Sequence, residues 1–294
     1  MIKDIEKDDF ISKPVKVDHK SDPFGDKIKE LEMTYAGALL DENSPFCVRI
    51  DGKSFHTYTQ GLKRPYDERL SNAMIDTMNF LLEKSNAQIG YTQSDEISLV
   101  YFKTAPHQQN FFGSRVQKLT SVLASMATAR FNWKVQTTIP EKNEDFAFFD
   151  ARVWSVPTLK DAADVMVWRQ DDAIKNAVSM AAHAYYDHKV LHGKSSREKI
   201  EMLKEKGIEW SEFPEFFKSG TYAMKKHLRV EMSEEMKQFP ANAGKDSFLR
   251  SETVNFNLPR LKRIENYESF LFDPVFEDHR LSVREKSERK KPKA

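Results

Sequence analysis

Two short acidic segments stand about forty residues apart, Arg49-Ile50-Asp51-Gly52-Lys53-Ser54-Phe55-His56 and Gln93-Ser94-Asp95-Glu96, each ending or turning an alternating apolar stretch. Together they point to a metal-dependent nucleotide site. Two divalent ions about 4 Å apart lower the pKa of an attacking hydroxyl, brace a triphosphate and stabilise the leaving oxygen, and aspartates bridge such ions well. Hard oxygen ligands select Mg²⁺ over zinc. On this reading Asp51, the Gly52 carbonyl and Asp95 hold the metals, and Glu96 helps through water or faces away. Glycine at 52 lets a triphosphate approach the backbone, while the amides of Lys53, Ser54, Phe55 and His56 donate to phosphate oxygens as a nest does. The plain alternative is an ordinary β-turn and an unrelated acidic hairpin.

The elements that must position these groups are readable from the apolar periodicity. Phe46, Val48 and Ile50 alternate with Cys47, Arg49 and Asp51, a strand that Gly52 ends, so Asp51 falls at a strand tip. From Asp67, a plausible N-cap, Leu70, Ala73, Met74, Thr77, Met78, Leu81 and Leu82 follow helical spacing to about Lys84. Two strand-like runs, 87–92 and 97–102, are separated by Gln93 to Glu96, which makes a hairpin whose turn carries the second carboxylate pair. A helix over 111–133, a strand over 151–156 and a helix from about 159 to 188 follow. The order strand, helix, strand, strand, helix, strand predicts an α+β fold with a ferredoxin-like βαββαβ core. In it an antiparallel sheet carries helices on one face, and Asp51 can meet the Asp95-Glu96 turn at one sheet end.

Around this core, residues 1–24 read as a flexible arm, preceding a short helix over 26–36. The catalytic domain spans 25–190, a helical and irregular extension covers 191–280, and a charged, disordered tail occupies 281–294. The 294 residues carry 46 Lys and Arg against 45 Asp and Glu, so overall charge does not drive nucleic-acid binding and any RNA contact must use local basic patches. The single cysteine, Cys47, fits a small buried side chain in a reducing cytoplasm. No apolar h-region opens the sequence, and no run approaches the roughly 18 apolar residues of a spanning helix. No membrane association is expected.

Other residues carry weaker signals. His56 either stacks on a base or contacts phosphate, or else is a packed, hydrogen-bonded structural residue. Arg115 and Lys118 share a helix face three apart and suit a second triphosphate or an RNA 5′ end, or a solvated face. In the Trp168-Arg169-Gln170 helix, Asp172 and Asn176 share a face, where a cap or a buried polar contact is the plainer reading.

These residues in this order resemble the tRNA(His) guanylyltransferases and the related guanylyltransferase-like 3′-to-5′ polymerases. The resemblance rests on residues 49–56, on Arg64-Pro65 with Asp67, and on Tyr91-Thr92-Gln93-Ser94-Asp95-Glu96. It continues through Arg115 with Lys118 before Ala124-Ser125, and Trp168-Arg169-Gln170 with Asp172, covering about residues 22–226. It implies a polymerase-palm-like domain adding nucleotides to the 5′ end of a tRNA: the 5′-monophosphate is activated, commonly with ATP, and the 3′-hydroxyl of an incoming nucleoside triphosphate, GTP among them, attacks the activated phosphate. It further implies that Asp51, Gly52 and Asp95 carry two Mg²⁺ ions and that Glu96 assists. Residues 53–56, Ser94 and Asn176 hold nucleotide, Arg64 stands where a triphosphate-binding lysine is usual, and Arg115 and Lys118 contact the activating nucleotide or the 5′ end. A homotetramer with tRNA bridging subunits is implied as well.

One departure matters. Eukaryotic guanylyltransferases carry His-Ile-Asn-Asn-Leu-Tyr-Asn after the Trp-Arg-Gln segment, whereas here Ile174-Lys175-Asn176-Ala177-Val178-Ser179-Met180 keeps only the first Asn. That favours template-directed repair of 5′-truncated tRNA over guanylate addition to histidine tRNA, with pairing supplying base choice. The rivals are a nucleotide cyclase-like palm enzyme, which would convert the triphosphate alone, and a non-catalytic RNA-binding module, which would show an aromatic RNP1 strand where Ile97-Ser98-Leu99-Val100-Tyr101 stands.

Overall fold

The computed structural model describes residues 22–105, 107–239, 244 and 246–272; most of the expected N-terminal arm and all of the charged tail lie outside them. It divides into two units, Met1–Gly37 and Ala38–Ala294. In the first, helix α1 (Pro23–Ala36) starts where the Asp22 side chain accepts the Gly25 amide and Pro23 supplies a preset φ at its first position.

The second unit is built on a six-stranded antiparallel sheet in the order β4-β1-β3-β2-β5-β6. Strand β1 (Phe46–Gly52) leads through a short helix α2 (Phe55–Tyr58) to helix α3 (Glu68–Ser85), capped by Asp67 as the sequence predicts. A hairpin follows, β2 (Ile89–Gln93) and β3 (Glu96–Tyr101), then helix α4 (Val116–Thr138), strand β4 (Phe149–Ser155) and helix α5 (Leu159–His183). The first four strands lie in the order expected of the βαββαβ core, with β1 and β3 in its middle.

Alternation along β1 sorts its side chains between two cores. Phe46, Val48 and Ile50 pack under α3 and α4 with Met78, Leu81, Leu123 and Phe131. Cys47, buried as expected, faces the other side with Val100, Ala162 and Met166 of α5. The two helices of the βαββαβ motif therefore share one face, while the long α5 covers the opposite face, a placement the one-face expectation does not include.

Beyond α5 come α6 (His188–Leu191), α7 (Ser196–Glu205) and α8 (Glu215–Lys218), the short helices expected of the C-terminal extension. The extension also holds two strands where a helical and irregular region is expected: β5 (Thr221–Glu231) pairs with β2, and β6 (Ser247–Phe256) pairs with β5, with α9 (Glu234–Lys237) between them and α10 (Tyr267–Phe272) after them. The extension thus prolongs the sheet of the βαββαβ core. Leu261, Ile264 and Leu271 close the core under α5.

Candidate active site

At one end of the sheet, β1 reaches Asp51 and Gly52 just where the β2–β3 hairpin turns. Only Ser94 and Asp95 lie between the two strands, Ser94 in the left-handed region at φ 55°. The Gly52 amide donates to the Asp95 carbonyl (3.1 Å), which ties the strand tip to the turn. Asp51 pairs in register with Glu96 on one side and Asp150 on the other, so three carboxylates stand in one row across the sheet. Like charges directly opposite one another are unfavourable unless something compensates them.

The compensation is uneven. Asp150 reaches Arg152 (3.6 Å) and is largely exposed. Glu96 is gripped by the fork of Arg169, Nε to Oε1 and Nη2 to Oε2 at 2.5 Å each, with both side chains nearly buried. Burial pushes the Glu96 carboxyl up, and Arg169 and Arg49 pull it back. Asp95 receives only the Ser94 hydroxyl (3.0 Å) as a side-chain partner. Burial, with the neighbouring charges of Asp51 and Glu96, pushes its pKa up to about 6. Asp51 and Asp95 are therefore left as a carboxylate pair with no ion pair to either among the described residues.

These groups open into a cavity of about 650 Å³. One wall is the sheet tip with Arg49, Asp51, Gln93, Ser94, Asp95 and Glu96; the other is α5, which presents Trp168, Arg169, Asp172, Asn176, Ser179, Met180 and His183 along successive turns. The packing of Ala177 and Ala181 on Leu203 and Phe217 holds the last turns of α5 over the carboxylates. Asn176, expected at the nucleotide, does line the cavity, and it donates to Asp172 (3.5 Å), which also receives Arg169 (3.2 Å). Trp168 is half exposed, with the Arg169 guanidinium 4.4 Å and that of Arg49 6.0 Å from its ring.

The turn after Asp51 has a packing reason for its glycine as well as the expected approach of phosphate. A Cβ at position 52 would lie 2.1 Å from the Phe55 ring, which is buried against Phe131, Phe149 and Tyr58. Gly52→Ala is therefore expected to destabilise the protein by about 1–3 kcal/mol and to weaken nucleoside triphosphate binding, as read by thermal melts and titration of the nucleotide. Unchanged melting and binding would show that the ring can yield. Phe55 contributes a core ring rather than a cavity side chain. The Lys53 amide is already used, donating to the Phe148 carbonyl (2.8 Å). The amides of Ser54, Phe55 and His56 have no acceptor among the described residues, and Ser54 turns the chain at φ 54°, so of the expected nest only 54–56 present free amides. His56 is exposed rather than packed.

Three expected contacts are not brought together with the carboxylates in one chain. Arg64 is exposed on the loop before α3 and is not part of the cavity wall; its neighbours Tyr66 and Asp67 are structural, the first packed on Phe213, Phe216 and Phe217 and the second capping α3. Arg115 and Lys118 are exposed at the start of α4, beside Leu39 and at the end of the sheet away from Asp51. Helix α4 runs back toward the site, where Thr128 accepts the Phe149 amide, so Arg115 stands about 20 Å of helix away from that point. Conversely, the cavity includes Trp168, Arg169 and Arg49, to which the sequence pattern assigns no role of their own.

The residues fit a hard divalent cation of the magnesium type. Among the described residues no three His, Cys, Asp or Glu side chains form a closed metal cage. Mg²⁺ sites completed by substrate phosphates need only one or two carboxylates, and the pair Asp51 and Asp95, with the Gly52 carbonyl beside them, has that composition.

An antiparallel α+β sheet with an acidic tip and a helix-walled cavity defines a polymerase-palm type of protein. A family model for tRNA(His) guanylyltransferase matches residues 25–157. The tRNA(His) guanylyltransferase of Candida glabrata is 32% identical over 207 residues, covering 62% of this chain and 85% of the fungal one. An uncharacterized protein of Acanthamoeba polyphaga mimivirus is 29% identical over 285 residues, covering 89% of this chain and 93% of the viral one. A bacterial tRNA(His) guanylyltransferase-like protein solved in complex with ATP superposes with a TM-score of 0.70 at 33% identity, over 85% of this chain and 99% of that chain. The chain belongs to the tRNA(His) guanylyltransferase family and is a nucleotidyltransferase.

Proposed function

We propose that this enzyme adds nucleotides to the 5′ end of tRNA in the 3′-to-5′ direction, in a template-directed repair of truncated acceptor stems. The observation that carries the reading is the uncompensated pair Asp51 and Asp95 beside three free backbone amides, a place for divalent cations and a triphosphate together. Asp51, the Gly52 carbonyl and Asp95 hold Mg²⁺, which when bound acidifies an attacking hydroxyl and steadies the leaving oxygen. The amides of 54–56 and the Ser94 hydroxyl receive the triphosphate of ATP, GTP or another nucleoside triphosphate. Arg169 keeps Glu96 anchored as a second acidic layer, while Asn176 and Trp168 border the base.

Template pairing rather than protein contacts supplies base choice. Of the positions that depart from the eukaryotic run, Ala177 and Val178 are buried and only Ser179 and Met180 join Asn176 in the cavity wall, so this stretch offers the cavity only Asn176 and Ser179 as hydrogen-bonding groups. The homotetramer implied by the resemblance gives Arg115 and Lys118 a function, since across a subunit boundary they are free to meet another copy's substrate.

The test is incubation with Mg²⁺, ATP, labelled nucleoside triphosphates and a tRNA lacking its first 5′ nucleotide, beside Asp51→Ala and Asp95→Ala. Template-matched extension lost in both variants is expected. Nucleotide turnover indifferent to RNA would replace this reading with a cyclase-like one, and RNA binding without turnover would leave a binding module.

A further inference from the structure

Past the carboxylates, the cavity wall ends at His183, the last residue of α5, and this imidazole begins a row. The His183 ring stacks on that of His188 at 5.5 Å and 20°, and His188 faces His192 at 6.3 Å. All three are exposed and sit on different elements, the end of α5, the start of α6 and the residue just after it. Their intervals are of the order of the spacing between successive phosphates on one RNA strand. Lys199 of α7 joins the row from below, its Nζ donating to Ser179 Oγ (3.0 Å) inside the cavity wall. Burial, with His188 and Lys199 nearby, holds the His183 pKa below its usual value.

The cavity floor has the opposite sign. Asp51, Asp95 and Glu96 repel an incoming polyanion, so a substrate strand needs phosphate-binding groups on the rim, imidazole N–H donors and the Lys199 ammonium, to bring its end to them. We propose that His183, His188, His192 and Lys199 form a phosphate track that carries the 5′-terminal strand of the RNA from the surface into the active-site cavity. The track rests on the nucleotide-adding function above and names where that function's RNA lies.

The experiment measures affinity for a 5′-monophosphorylated tRNA lacking its first nucleotide across a salt series, for the parent protein, the double variant His188→Ala/His192→Ala, and Lys199→Met. Nucleoside triphosphate affinity is measured on each as a control for the fold. The double variant is expected to bind the RNA five- to twentyfold more weakly. Lys199→Met is expected to lose a similar factor and to flatten the dependence of log affinity on log salt by about 0.7–0.9, the share of one phosphate contact. Triphosphate affinity is expected to stay unchanged in both. Parent-like RNA affinity and salt slope in both variants, with extension intact in the parent, would overturn the track and leave the function standing. A parent that neither binds nor extends the RNA would instead overturn the function.

Discussion

Replacing Arg169 with methionine is expected to lower stability at neutral pH by about 3–5 kcal/mol, because it strands the buried Glu96 carboxylate that the guanidinium now grips at 2.5 Å with two bonds. The sign of the pH dependence follows from burial. Glu96 already sits above the ordinary glutamate range despite Arg169, so without the arginine its folded pKa rises further. The penalty for ionising it is absent below about pH 4, where the carboxyl is protonated folded or unfolded, and grows as pH rises. Denaturant melts at pH 4.5 and 8 should therefore show a small loss in acid and a large one in base. Adding Glu96→Gln to the variant removes the charge and should restore most of the loss. An equal loss at both pH values, unrelieved by the glutamine, would show that Arg169 acts through packing on Trp168 instead.

Asp95→Asn should move activity and stability in opposite directions. Nucleotide addition is expected to fall by at least a thousandfold, equivalent to about 4 kcal/mol, since one of the two carboxylates proposed to hold metal is gone. The protein should nevertheless melt higher at neutral pH. Burial and the charges of Asp51 and Glu96 hold Asp95 at about 6, so its ionisation opposes folding, fully so above that pH; relief from it is of order 3 kcal/mol. The gain should be full above pH 6, shrink as pH falls between the folded and unfolded pKa values, and vanish below about pH 4. Scanning calorimetry of the metal-free protein and its variant across that range checks the sign. A variant no more stable than the parent at pH 7.5 would mean that the carboxylate is not under strain.

What the sequence discloses here depends on how local the cause is. The β1 alternation, the Asp67 cap and the hairpin are set by neighbours in the chain and stand where the pattern predicts, although the turn is two residues, Ser94 and Asp95, where the pattern gives the four from Gln93 to Glu96. In sequence, strands β5 and β6 read as charged helical pieces, although Tyr222, Met224, Leu228 and Val230 do alternate. The Lys225-Lys226 pair and the charged Arg250 and Glu252 mask that period, because beyond Met224 the two strands pair only with each other and no longer with β2. Arg169 escaped because its partner lies 73 residues away, a separation no spacing rule reaches. Arg115 and Lys118 show the reverse, a clear helical spacing whose distance from Asp51 only the tertiary structure reveals.

The hairpin that bears Asp95 is held on its outer side by residues that no matching of the first half would suggest. The Tyr91 hydroxyl donates to the Ser219 carbonyl, Gln93 donates to that of Phe217, and β5 completes the edge of β2. The family model ends at residue 157, yet the turn it contains is buttressed from beyond residue 210. The catalytic half of this chain is thus no detachable cassette: grafted elsewhere without its later strands, it would carry an open sheet edge prone to self-association and an acidic turn with nothing behind it.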